Sequence, residues 1–245
     1  MADELGFRDS GVMSERPHDV AAIFLGRGYG SKAETAGRGP IYATFFKRHF
    51  DFLFAVALLG VLAPVFALIT CVILAVDGRP VFFIQQRIGR GGKSFPLVKF
   101  RTMVRDAEAI LKSWKQDEPD LWDQYVQNNF KCSGDPRLIR FGALMRRFSL
   151  DELPQLWNVV CGEMSMVGPR PLLAEEVQHY SGEMGLYKSV QPGITGIWQV
   201  SGRSTTTFDE RARLDGIYIR SISLVNDCKL LFRTIASVAR GTGAY

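Results

Sequence analysis

Cysteine and histidine are scarce in this 245-residue chain, and their placement points away from the chemistry they usually announce. The four cysteines, Cys71, Cys132, Cys161 and Cys228, form no CxxC pair, so neither a disulfide framework nor a zinc knuckle is indicated. Free thiols in a reducing compartment are the simpler reading. His18, His49 and His179 are the three histidines, none at metal-ligand spacing from another. The N-terminal segment lacks the apolar h-region of a secretory signal. Complete nucleotide fingerprints are also missing. Gly26, Gly28 and Gly30 begin a GxGxxG pattern, but Ser31 stands at its third glycine; Gly92-Lys93-Ser94 ends like a P-loop, but Arg87 occupies the opening glycine position.

What is abundant is apolar surface and positive charge. The hydrophobic fraction is 47% beside 22% charged residues, more than a soluble core of this size requires, which points to membrane contact. A formal net charge of +5 favours an anionic partner: phospholipid head groups, a phosphorylated substrate or nucleic acid. No nucleic-acid motif and no basic stripe with interleaved aromatics is present, so a nucleic-acid partner is not expected. The length suits one medium domain with appendages.

Residues 1–46 read as a flexible cytoplasmic tail, the first 40 or so rich in Gly, Ser, Ala and mixed charge. Residues 47–78 read as a membrane anchor. No charge occurs from Phe52 to Val76, a run of about 37 Å as a straight helix, with Pro64 at its midpoint. Proline removes one helical hydrogen bond, so a bend is expected there. Lys32, Arg38, Lys47 and Arg48 upstream balance Arg79, Arg87, Arg90 and Lys93 downstream. That symmetry favours a re-entrant helix-break-helix hairpin, with both flanks cytoplasmic, over a single span. Residues 79–245 form the remaining domain. Val81–Ile84, the turn Gly89–Gly92 and Phe95–Phe100 predict a β-hairpin. A helix is expected over Asp106–Phe130, with Leu111, Trp114, Leu121, Trp122 and Tyr125 on its buried side. The run Ile217–Arg240 is amphipathic and either lies on a membrane surface or closes the core.

The densest functional signal is DPRLIRFGALMRRFSLDELPQLWNVVCGEMSMVGPRP, Asp135 to Pro171. Adjacent carboxylates Asp151 and Glu152 follow Arg146 and Arg147 and precede Arg170. Paired acids among guanidinium groups suit phosphate chemistry, with one acid attacking or holding a metal while arginines neutralise phosphoryl oxygens. A plainer reading also stands. Ser149 and Glu152 have capping-box spacing, so the acids would only start a helix, although Pro154 would then sit in that helix at a position needing a donor.

The segments KFRTM (Lys99–Met103), SLDELPQLWNV (Ser149–Val159), MSMVGPRP (Met164–Pro171) and QPGITGIWQVSGR (Gln191–Arg203) closely resemble the bacterial sugar transferases, the monotopic phosphoglycosyl transferases. The resemblance runs in order from about Lys47 to the C-terminus and implies an α/β domain, mostly helical with a short β-hairpin. That domain would sit on a re-entrant anchor with amphipathic helices along the surface, at the cytoplasmic face of the bacterial inner membrane. It implies transfer of a hexose 1-phosphate from a UDP-hexose to undecaprenyl phosphate, with release of UMP. Asp151 would be the nucleophile and Glu152 the Mg²⁺ ligand. Lys99, Arg101, Arg146, Arg147 and Arg170 would serve phosphate groups, while Arg203, Asp215 and Asp227 match other polar positions of the site. Likeness to compact members that prime exopolysaccharide synthesis implies galactose or glucose as the sugar and leaves a homodimer open. Each residue also has a structural alternative: Lys99 and Arg101 as a strand's solvent face, Arg146 and Arg147 as lipid contacts, Asp227 as a cap. The competing function is a non-catalytic membrane scaffold for polysaccharide assembly.

Overall fold

A computed structural model describes residues 41–127, 135–180, 182–201 and 207–241. The first 40 residues of the expected tail lie outside these, and its last residues are already helical. A π-helical turn at Tyr42–Phe46 runs directly into α1, Lys47–Asp77.

Helix α1 is 31 residues long, about 46 Å. One stripe of it is covered along the whole length. Ala55, with Phe54, Leu58, Leu59 and Leu62, joins the main core; Ile69 and Ile73, with Val65 and Phe66, join a second cluster around Phe100, Ile139 and Met145. Leu53, Val56, Val61, Leu68 and Leu74 stay exposed on other faces. Both ends are tied to the same domain. Arg48 donates to the carbonyls of Val159 and Val160, and Asp77 accepts from Arg101. The break expected at Pro64 is not a helix end: helical structure runs unbroken through it. The ring deletes only the donor to the Gly60 carbonyl, and packed turns on both sides hold the helix together.

The hairpin is longer than the sequence reading gave. Strands β1, Phe82–Ile88, and β2, Ser94–Phe100, pair antiparallel from Phe82↔Phe100 to Ile88↔Ser94. Side chains alternate across a strand, and paired residues share a face. The inner face therefore carries Phe95 and Leu97, both buried, flanked by Lys99 and by Arg87 opposite Phe95. The expected single helix is two, α2 (Ala107–Asp117) and α3 (Pro119–Gln127), because Pro119 starts a new one. Trp114 and Tyr125 are buried as expected and grip the Arg137 guanidinium, which pairs with Asp135 at 2.6 Å.

Helices α4 (Gly142–Arg147) and α5 (Gln155–Cys161) bracket the paired carboxylates. Asn158 on α5 imitates a strand edge: its Oδ1 accepts from the Val98 amide and its Nδ2 donates to the Pro96 carbonyl. Beyond α5, β3 (Ser165–Val167) pairs in parallel with β4 (Gly193–Thr195). Two motif glycines meet here. A Cβ on Gly193 would lie 2.0 Å from the Gly168 amide nitrogen, so this backbone crossing needs glycine. Helix α6 is Met184–Tyr187, between the two strands; α7 (Ile197–Ser201), α8 (Phe208–Arg220) and α9 (Leu224–Arg240) follow. Thr207 and Ser223 cap α8 and α9 by accepting the amides of Glu210 and Asn226. Helix α9 buries Leu230 in the core and exposes Val225, Phe232 and Ile235, so it closes the core with one face and presents apolar surface with another.

Candidate active site

The paired carboxylates sit on a turn that the chain makes by adopting an unfavourable backbone angle. Ser149, φ 52°, is the one non-glycine residue in the left-handed region among the described residues. It lets the chain leave α4 and form a single 3₁₀ turn, Leu150–Glu152, before α5. The capping-box reading does not hold, since the Ser149 side chain makes no cap bond and only its carbonyl accepts, from the Glu152 amide at 3.2 Å. Pro154 conflicts with nothing. It precedes the first residue of α5, where a missing N–H leaves no bond unmade.

Asp151 is nearly buried, and Lys99 reaches from the hairpin's inner face to Glu152, Nζ to Oε1 2.6 Å. Lys99 is therefore not a solvent-face residue. Burial, and then the charge of Glu152, push Asp151 up to about 6, while Lys99 and Arg146 oppose the rise. A carboxyl so placed is ionised at neutral pH yet poorly hydrated, which suits attack on an electrophile. Arg146 is held over the turn by Nε donating to Thr102 Oγ1 at 3.0 Å. No group of three metal-ligating side chains is clustered among the described residues. The donor set fits Mg²⁺ in the form that uses one or two carboxylates and completes its shell with substrate phosphates and water. Glu152, the expected ligand, would hold it; the repulsion between Glu152 and Asp151 is the local feature a dication would relieve.

Beside this pair lies a second set of charged groups that the sequence reading only half identified. Arg170 and Arg211 both stack near the Trp198 indole, at 5.7 and 4.7 Å from its centroid. Arg87 donates to the carbonyl of Pro171, next to Arg170, and lies 3.5 Å from Glu176. Burial first, then Arg170, lower the Arg87 guanidinium to about 10, and the same two causes lower Arg211. Asp215 lies beneath, fully buried, accepting from Tyr180 at 3.0 Å; burial raises it to about 8, so it is largely protonated at neutral pH. Arg87, Arg211, Trp198 and Glu176 were missed. Arg87 offered one signal, a charge on the core side of a strand whose neighbours there are Phe95 and Leu97.

Other expected site residues make structural contacts in this fold. Arg101 is committed to structure: its three guanidinium nitrogens donate to Asp77 and to the carbonyls of Asp77, Gly78, Pro80 and Met103, fastening the end of α1. Exposed Arg147 stacks on Phe148, at 5.6 Å, beside Gly241 at the end of α9. Asp227 is fully buried in a network of its own, accepting from Lys47 (2.6 Å), Tyr42 (2.8 Å) and Tyr218 (2.8 Å), and so locks α9 to the start of α1. Arg203 lies outside the described residues.

The chain was compared with known proteins. The family model for bacterial sugar transferases matches residues 42–241. A UDP-galactose-lipid carrier transferase of Erwinia amylovora is 40% identical over 204 residues, 82% of this chain and 42% of the relative. The undecaprenyl-phosphate galactose phosphotransferase of Salmonella typhimurium is 39% identical over 201 residues, again 82% of this chain and 42% of the relative. The exopolysaccharide production protein ExoY of Rhizobium meliloti is 39% identical over 199 residues, 81% of this chain and 88% of that protein. The chain thus spans well under half the length of the first two relatives and most of the third. Because the matched stretch takes in α1, the hairpin and the Asp151 turn alike, the chain belongs to the bacterial sugar transferase family.

Proposed function

We propose that this chain transfers galactose or glucose 1-phosphate from a UDP-sugar to undecaprenyl phosphate, releasing UMP, through a covalent phosphosugar on Asp151. The observation that carries this reading is the desolvated Asp151 carboxylate, ionised at neutral pH between Glu152, Lys99 and Arg146. A carboxylate oxygen of Asp151 attacks the β-phosphorus. The bond to the bridging oxygen breaks, and its electron pair leaves with UMP. Lys99 and Arg146 neutralise charge on the phosphoryl oxygens, and the fixed turn at Ser149 keeps the nucleophile aligned. An oxygen of the lipid phosphate then attacks the same phosphorus, and the Asp151 carboxylate departs unchanged. Bound Mg²⁺ would supply charge neutralisation for the diphosphate. The names of the Erwinia and Salmonella relatives support a galactosyl donor and a lipid acceptor.

The acceptor's tail requires a membrane, and α1 supports an anchor that enters one leaflet without crossing. It is long and apolar enough to span, but one stripe of it packs against, and both its ends are tied to, the same domain, which supports that domain keeping to one side of the bilayer. The exposed apolar residues of α9 extend that surface. In this reading the domain works at the cytoplasmic face of the inner membrane, where nucleotide sugars are available. The test is UMP release from a panel of UDP-sugars by detergent-purified chain with Mg²⁺. Turnover that needs undecaprenyl phosphate and is lost in Asp151→Asn is expected; turnover unaffected by Asp151→Asn sinks the nucleophile assignment, and no UMP release from any donor favours the scaffold.

A further inference from the structure

Phe83 is an aromatic side chain left 45% exposed on the face of the hairpin that carries the site. It pairs with Lys99 in the register of β1 and β2, so the two stand side by side on one face, with Cβ atoms about 5 Å apart. Lys99 in turn reaches Glu152, next to Asp151. Farther along the same face Leu97, Phe95 and Arg87 are all buried. The face therefore closes over the core at one end and opens at the other, and the open end sets an apolar ring beside a cation. Phe83 belongs to none of the apolar clusters formed by the described residues, so core packing does not account for an aromatic residue there. Its neighbour Phe82 turns to the opposite face and stacks on Phe100, with centroids 5.4 Å apart, and Phe100 meets Phe66 of α1 at 5.3 Å. Phe82 is also exposed, so apolar surface runs from α1 across the open end of the hairpin and stops at Lys99.

The ligand that matches this arrangement has its anion and its hydrocarbon joined directly. In a polyprenyl phosphate a single ester oxygen separates the first isoprene unit from phosphorus. The donor's nucleobase is held off from the attacked phosphorus by a ribose and a second phosphate. The donor's hexose is as near as the isoprene, but its hydroxyls call for polar partners, whereas the surface beyond Phe83 is the aromatic series leading to α1. We infer that Phe83 binds the lipid acceptor, its ring packing on the first isoprene units while Lys99 meets the phosphate, and that the tail leaves the site over the open end of the hairpin toward α1. This rests on the reaction proposed above and adds to it a residue outside the sequence-derived site.

The test uses the full chain in detergent, so that partition into a bilayer plays no part. Farnesyl phosphate binding is measured by calorimetry, and kcat/KM is measured separately for the UDP-sugar and for undecaprenyl phosphate, since in a two-step transfer each ratio reports its own half of the reaction. Covering the exposed part of a phenyl ring is worth about tenfold in affinity, so Phe83→Ala is expected to weaken farnesyl phosphate and to lower kcat/KM for undecaprenyl phosphate by about that factor, with the donor's kcat/KM unchanged. Phe83→Leu keeps apolar bulk and should restore most of the loss. Ile84→Ala, exposed like Phe83 but on the opposite face, should change neither. A fall in the donor's kcat/KM in Phe83→Ala would assign the ring to the hexose and overturn the inference. Farnesyl phosphate affinity that is the same in Phe83→Ala as in wild type, or that falls equally in Ile84→Ala, overturns it too. The expected farnesyl phosphate pattern in a chain that releases UMP from no donor refutes the reaction and leaves the lipid site standing.

Discussion

Replacing Asp151 with Asn should stabilise the fold while abolishing transfer. In the folded chain burial and Glu152 raise this carboxyl from 3.8 to about 6. The ionised form is thus disfavoured by folding, and linkage makes the cost about 3 kcal/mol at neutral pH. The sign follows from the proton count. Above pH 6 the carboxylate is charged in both states and the full penalty applies; between pH 6 and about 4 the folded state holds the proton that the unfolded state has lost; below 4 both are neutral and the penalty vanishes. Asn is isosteric and uncharged, so Asp151→Asn should raise Tm by several degrees at pH 7.5, on the scale expected for a chain of this length. The gain should shrink toward zero near pH 4. Thermal melts of both proteins in one detergent across this range test it. A Tm gain that is absent at pH 7.5, or that persists undiminished at pH 4, refutes the claim that the nucleophile is held in a desolvated, self-repelling pair.

Other perturbations follow from the same contacts. For the metal-free enzyme kcat/KM should fall about tenfold per pH unit below 6 as Asp151 takes up its proton, and added Mg²⁺ should move that inflection lower; a profile flat to pH 5 without metal contradicts this. Asp227→Ala should cost about 3 kcal/mol, because the Tyr42 hydroxyl loses its acceptor, Tyr218 keeps only the Val167 carbonyl and Lys47 keeps only Asp51 at 3.6 Å; a melting shift reads it. Gly193→Ala should prevent folding, since its methyl would overlap the Gly168 backbone, and a folded variant seen by circular dichroism would refute the crossing.

How much of this could be read in the sequence depends on whether a residue's role is local. The hairpin was legible because strand alternation and glycine turns act over a few residues, as were the buried Trp114 and Tyr125. Asp151 and Glu152 stood out as adjacent carboxylates among arginines and Lys99 through a family motif, and geometry joins Lys99 to Glu152 by a 2.6 Å ion pair across 53 positions. Arg101 stood in a motif for another reason. It fastens the end of α1, a partnership set by where Asp77 arrives and invisible in the KFRTM pattern. Asp227 is similar, for its partners Tyr42 and Lys47 are 185 and 180 positions away. Arg87 went unseen because its burial depends on which face the hairpin turns inward. The unbroken course of α1 through Pro64 could not be read either, because a proline's local cost is overridden by packing on both sides.

The most direct test of the account is a single-turnover experiment without acceptor. Wild type incubated with a UDP-sugar and Mg²⁺ should release one UMP per active site and retain the sugar phosphate, with mass spectrometry of digests placing it on Asp151. Asp151→Asn should release none. A burst that survives in Asp151→Asn, or a sugar phosphate mapped to another side chain, would contradict the central claim.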